Sequence, residues 1–226
     1  DMKEFIKLKG ISEKKINVIY NWGYSDETVD IPWSENLFVK KYNLSRDKFY
    51  AIYAGNIGRM QNVELVIRAA EKLKANANIR FLIIGGGADK ENIEKEIKEK
   101  NLSNVTMLPL QDSKLATSIY SAAGVNIIPL VPGGIKTALP SKTGVCLSCG
   151  RPVIFCFDKQ SAFDKICEKY KSGNCVSSIN ENELAQAIVS YSKEAIKKNQ
   201  GALYMYKDLF VRTDNIKKYV DILEKI

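Results

Sequence analysis

The sequence predicts a doubly wound α/β domain, a Rossmann-like parallel sheet with helices on both faces, and three observations carry the prediction. Short apolar runs alternate with segments of helical period from "FYAIYAG" through to "RPVIFCF". Strands such as "FLIIG" are continuously apolar, as expected where both faces of a parallel sheet are covered. Glycine-bearing turns follow several of the runs, where strand passes to helix.

In chain order, residues 1–32 read as a helix, a short strand "INVIY" and a turn-rich segment ending at Pro32. "FYAIYAG" is the first core strand, and in the helix after it Val63, Val66, Ile67, Ala70 and Leu73 form the stripe that lies on a sheet. Strand and helix then alternate as "IRFLIIGGG" and "DKENIEKEIKEK", "NVTMLPL" and "DSKLATSIYSAA", "GVNIIPLVP" and "SKTGVCLSCG", before "RPVIFCF". After Asn180 the chain reads as wholly helical, with amphipathic stretches at 181–199 and 215–226. The expected division is 1–48 as a linker arriving from a preceding domain, 49–200 as the ligand-binding domain, and 201–226 as helices returning over its edge. No repeat or low-complexity tract is evident.

Composition narrows the chemistry. The chain has 226 residues, 45% of them apolar, enough to bury a sizeable core. Its net charge of +8 suits a phosphorylated ligand, nucleic acid or an anionic membrane surface, but much of the lysine sits in helices of alternating sign such as "KENIEKEIKEK". No aromatic-basic stripe or recognition motif supports nucleic acid as a partner. The chain has no histidine, which excludes a Ser-His-Asp triad, a Cys-His pair and imidazole-ligated zinc from its own residues; no metal site is expected. The five cysteines include a lone CxxC at Cys146 and Cys149, inside an apolar run, and read as reduced core residues of a cytoplasmic protein, with redox chemistry the alternative. No signal peptide or bilayer-length apolar run is present. Asp1 precedes Met2, and a fragment of a longer protein is expected.

In such a sheet the ligand lies at the carboxyl ends of the strands. In "AGNIGRMQN", Gly55 and Gly58 let backbone approach a ligand, and Arg59 offers charge; tight turns also use glycine for geometry alone. Gly85, Gly86 and Gly87 do not fit a dinucleotide fingerprint. The stretch "PSKTGVCLSCG" starts as an anion-binding helix does: Pro140 has no N–H to lose, Ser141 can cap, and Lys142 brings charge. Converging on one crevice, these loops suit the diphosphate of a nucleotide.

The sequence resembles the nucleotide-binding C-terminal half of a GT-B glycosyltransferase of the retaining family-four group, particularly bacterial enzymes of polysaccharide and capsule biosynthesis. The residues that carry the resemblance are "YAGNIGRMQNVELVIRAA", "FLIIGGG", "NVTMLPLQ", "LPSKT" and "SCGRPVI" in that order, with "INVIYNWGYSD" similar to the interdomain linker. The resemblance implies transfer of a sugar, such as an N-acetylated amino sugar, from a UDP-sugar donor to a saccharide or lipid-linked acceptor. The acceptor site would belong to the N-terminal half, so the fragment alone should be inactive, and no further cofactor is implied. It places Gly55, Asn56, Gly58 and Arg59 near the donor phosphates, with Gly85 on the neighbouring loop. Backbone groups of Leu110 and Gln111 would hold the base, and the stretch Pro140, Ser141, Lys142 and Thr143 would set its free amides on the distal phosphate. No catalytic base is assigned. Localisation would be cytoplasmic, with peripheral membrane contact in the full protein where the acceptor is lipid-linked.

The chain also departs from the family pattern. Asn56 and Gln61 stand where the family carries arginine and lysine, and Thr137 and Val145 stand where it carries paired glutamates. Valine cannot accept a hydrogen bond from ribose. Asp158 and Ser161 either face the crevice or only cap the next helix. Two other readings stay open: a non-catalytic GT-B-like assembly domain, and a GT-B UDP-N-acetylglucosamine epimerase, for which the lack of histidine is unfavourable.

Overall fold

The computed structural model describes residues 1–23, 25–194 and 198–225. Residues 195–197 of the predicted helix 181–199, Tyr24 of the linker motif and the terminal Ile226 lie outside them.

Six parallel strands form one sheet: β1 Phe49–Asn56, β2 Ile79–Gly86, β3 Val105–Leu108, β4 Val125–Pro129, β5 Val153–Phe157 and β6 Gly173–Ser177, in the order β3-β2-β1-β4-β5-β6. The predicted fold class is borne out. Alternate residues of β1 divide the core. Tyr50, Ile52 and Ala54 enter one apolar cluster, while Ala51 and Tyr53 enter the other. The first cluster lies under α2 Leu37–Tyr42, α5 Ala116–Ser121, α6 Lys142–Ser148, α7 Ala162–Tyr170 and α9 Gln200–Leu209. The second lies under α3 Val63–Lys72, α4 Lys90–Glu99 and α8 Glu181–Ser192. Helix α3 buries Val63, Val66, Ile67 and Ala70 of the stripe its sequence displays, while Leu73, just past the helix end, is half-buried against the same cluster.

Helix α2, strand β6 and helix α9 were not read from the sequence. β6, "GNCVS", is too short and polar for an apolar-run criterion, and α9 had not been set apart within the helical tail. Phe38 and Val39 of α2 and Ala202, Met205 and Tyr206 of α9 lie in the same core cluster as β1 and β5.

One reading is corrected. After α1 Met2–Leu8, residues 16–20 form no strand, because no ladder partner lies beside them. The chain from Tyr20 to Ile31 is instead stitched along the helical layer. Tyr20 packs on Phe210 with ring centroids 5.3 Å apart, and the Gly23 amide donates to the Phe210 carbonyl. Tyr206 donates its hydroxyl to the Ser25 carbonyl. Asp26 receives the Thr213 amide and hydroxyl at the start of α10 Arg212–Leu223, and Asn215 donates to the Tyr20 carbonyl. Val29 donates its amide to Ser148, and Asp30 pairs with Arg151 at 2.9 Å.

Both charges of that pair are largely buried, at 18% and 14% side-chain exposure, so loss of one strands the other. Asp30→Ala is expected to cost about 2 kcal/mol, a fall in Tm of roughly 4–8 °C in a chain this long. A thermal melt unchanged from wild type would refute that role for the pair.

Candidate functional site

The strand order reverses between β1 and β4, and there the sheet opens at its carboxyl end. A cavity of about 550 Å³ fills this point. Ala54, Gly55 and Asn56 at the end of β1 form one side, and Pro129 and Leu130 at the end of β4 form another. Residues 138–141 close it from the loop before α6, Lys142 and Val145 from α6, Met60 and Gln61 from the turn after β1, Tyr120 from α5, and Trp22 and Gly23 from the N-terminal segment. Lys142 is the one charged side chain among the described lining residues.

Lys142 is electrostatically exposed to its own burial. Its Nζ is inaccessible to solvent and has no hydrogen-bond partner among the described residues. The ammonium sits 3.9 Å from the centroid of the Tyr53 ring. Burial lowers its pKa from 10.5 to about 8, and Cys146 offsets this a little. The side chain crosses from the α6 layer past Gly55, where a Cβ would strike Lys142 Nζ. The Tyr53 hydroxyl, pushed upward in pKa by burial, donates to the Asn56 carbonyl. Asn56 in turn donates to Gln61 Oε1 at 3.1 Å, closing the loop.

Of the residues named from the sequence, the structure brings Gly55, Asn56, Pro140, Ser141 and Lys142 to the cavity wall. Gly58, Arg59, Gly85, Leu110, Gln111 and Thr143 do not line it. Gly58 sits over Asn56 and Gln61, where a Cβ would approach their amides to 2.9 and 2.8 Å. Arg59 is exposed at the start of the turn Arg59–Gln61 and leaves the wall to Met60. Gly85 pairs with Gly55 across the β1–β2 ladder at a φ of +150°, and a Cβ there would overlap the Gly55 carbonyl oxygen. Leu110 is exposed, while Gln111 accepts from Lys41 Nζ at 2.9 Å and donates to the Pro109 carbonyl. Thr143 is buried, and its amide donates to the Pro140 carbonyl.

The expected cap at Ser141 is not made: its backbone is already helical at φ −58°, ψ −27°, and its side chain bonds no amide of α6. Ser161 belongs to the capping alternative, whereas Asp158 neither caps α7 nor lines the cavity. Ser161 accepts from the Asp164 amide at the start of α7, and Asp158 accepts from the Gly133 amide at 2.8 and 3.1 Å. Thr137 turns back on the Gly134 carbonyl, whereas Val145 does line the cavity.

Sequence reasoning missed Trp22, Gly23, Tyr53, Met60, Tyr120 and Leu139. Gly23 carried a signal, since it falls inside the linker-like motif: Tyr206 packs where its side chain would be, and Gly144 approaches its backbone. The thiols of Cys146, Cys149, Cys156 and Cys167 are buried, Cys175 is half-buried, and none is in a disulfide. Burial pushes Cys149 up to about 11 and holds Cys146 well above its ordinary value, disfavouring the thiolate that redox exchange needs.

The curated relatives include the putative colanic acid biosynthesis glycosyl transferase WcaI of Escherichia coli. It is 26% identical over 196 residues, covering 83% of this chain and 46% of that protein. A poly(ribitol-phosphate) alpha-N-acetylglucosaminyltransferase of Staphylococcus aureus is 29% identical over 167 residues, 67% of this chain and 30% of that one. Among solved structures, Anabaena HepE in complex with UDP-glucose superposes with a TM-score of 0.81 at 14% identity, over 99% of this chain and 61% of that one, a likeness of fold. The chain spans about half the length or less of the curated relatives it matches. Residues 34–207 match the family model described as glycosyl transferases group 1. That match covers most of the chain, so the chain belongs to the group 1 glycosyl transferases.

Proposed function

We propose that the chain is the donor-binding half of a glycosyltransferase that moves a sugar from a UDP-sugar to a saccharide or lipid-linked acceptor. The observation that carries this is the Lys142 ammonium, buried at the switch point without an anionic partner. Such a charge is costly unless an anion arrives, and a diphosphate in the cavity would supply one. UDP is favoured as the nucleotide because Anabaena HepE, similar in fold, is described in complex with UDP and with UDP-glucose. An N-acetylated amino sugar is the favoured cargo, since the Staphylococcus aureus relative is named for that transfer. The acceptor would meet the donor from the other half of a whole transferase, in keeping with the half-length match to the relatives.

In this reading the diphosphate lies over Gly55, between Lys142 and the backbone of residues 140–143. There the ammonium stabilises the charge that grows on the leaving UDP. Ribose falls to neutral wall groups, Asn56, Gln61 and Ser141, because Val145 offers it no acceptor. Val145 is also the observation that favours a second reading, a non-catalytic assembly domain.

Calorimetric titration with UDP, GDP and NAD separates the two. Micromolar UDP binding, about 8 kcal/mol, with weaker GDP and NAD, is expected. Failure of UDP to bind below millimolar, about 4 kcal/mol, would leave the assembly reading standing.

A further inference from the structure

The inference concerns what holds Lys142, and it rests on the donor-site reading above. We propose that Tyr53 is a positioning residue whose ring seats the Lys142 ammonium, across Gly55, where the diphosphate of the donor must lie. The two side chains begin in different layers. Tyr53 points from β1 into the cluster under α3, α4 and α8, while Lys142 opens α6 on the opposite face. They meet because Gly55, two residues after Tyr53 and on its face of the strand, has no side chain to block the crossing. The ring's own position is fixed, since Tyr53 is fully buried and its hydroxyl is tied to the Asn56 carbonyl of the same loop.

A ring is a better seat here than a carboxylate. Its negative face attracts the cation without accepting strong hydrogen bonds, so all three N–H donors of the ammonium remain for the ligand. A carboxylate would pair with the lysine and compete with phosphate for it. The groups that act on Lys142 fit this: Tyr53 from β1, and Cys146 one turn along its own helix. The described lining residues include no aspartate or glutamate.

A double-mutant cycle read by UDP titration tests the assignment. Tyr53→Leu should lower affinity about tenfold when Lys142 is present, and less than about twofold in a Lys142→Met background. Tyr53→Phe keeps the ring and should restore most of the difference. Equal losses from Tyr53→Leu in both backgrounds would mean that Tyr53 only supports the fold, and would overturn the proposal. Tyr53→Met, longer and more adaptable than leucine but without a ring, replaces Tyr53→Leu if the latter does not fold. Failure of the donor reading looks different: wild type would then not bind UDP, or Lys142→Met would bind it as tightly as wild type. Either result also removes the positioning role.

Discussion

Lys142→Met is expected to give a protein that melts higher than wild type and binds UDP ten- to a hundredfold less tightly. The loss of affinity is that of charge-assisted hydrogen bonds, about 1.5–3 kcal/mol. The gain in stability arises because the folded chain carries a buried ammonium with no acceptor, a cost that methionine of similar length does not have. A pKa lowered from 10.5 to about 8 bounds that cost at about 3 kcal/mol, and roughly 2 kcal/mol, or 4–8 °C in Tm, is the expected recovery at pH 7. The pH dependence follows with a definite sign. Below about 8 the lysine is charged in folded and unfolded chains alike, and the penalty is complete. Between about 8 and 10.5 the folded chain has released the proton while the unfolded chain still holds it, so stability attributable to Lys142 rises with pH. The gap between the wild-type and Lys142→Met melting curves should therefore close across that window. UDP affinity of wild type should fall through the same window, since the neutral amine no longer attracts phosphate. A Lys142→Met protein that melts at or below wild type at pH 7 would show that the ammonium is not strained by its burial.

Gly85→Ala and Gly173→Ala should be nearly equal in their damage to the fold and unlike in their damage to binding. At both positions φ lies near +150°, and a Cβ would overlap a carbonyl oxygen of the neighbouring strand: that of Gly55 for Gly85, and that of Val153 for Gly173. Backbone cannot yield as a side chain can, and a loss of about 3 kcal/mol, roughly 6–12 °C in Tm, is expected for each. Gly55 carries the lysine crossing at the carboxyl end of β1, so Gly85→Ala should also cost at least tenfold in UDP affinity, measured well below the melting transition. Val153 begins β5 at the far end of the sheet, and Gly173→Ala should bind UDP as wild type does. Equal affinity in the two variants would mean that the Gly55 backbone does not shape the donor site.

The layers of this fold were legible because they depend on periodicity. Continuous apolar strands and the Val63 stripe report burial directly, and burial is what the sheet and α3 then show. β6 escaped because an edge strand needs apolar residues on fewer sides, and the extended residues 16–20 were misread because apolar character alone does not provide a ladder partner. The site divided along the same line. Lys142 and Gly55 were legible, since glycine after a strand and lysine at a helix start have local meanings. Tyr53 was not, because its role comes from a residue 89 positions away, and Trp22 and Gly23 reach the cavity through contacts with α6 and the C-terminal helices, far off in sequence. Arg59 shows the converse error: a charged residue beside a glycine loop, turned away from the wall that its neighbour Met60 completes.

The stitching of residues 20–26 to the C-terminal helices has a consequence for the order in which the molecule is made. Its hydrogen bonds join partners 181, 187 and 195 residues apart, among the longest separations in the chain. A ribosome delivers the sheet and Lys142 well before it delivers Tyr206, Thr213 and Asn215. Until those residues emerge, the segment is anchored only further along, at Val29 on Ser148 and Asp30 on Arg151, and Trp22 and Gly23 lack the hydrogen bonds that tie them to the C-terminal helices. A nascent chain stalled before residue 200 should thus hold a folded sheet and an open groove, and the cavity wall at Trp22 and Gly23 should close only with the final two helices.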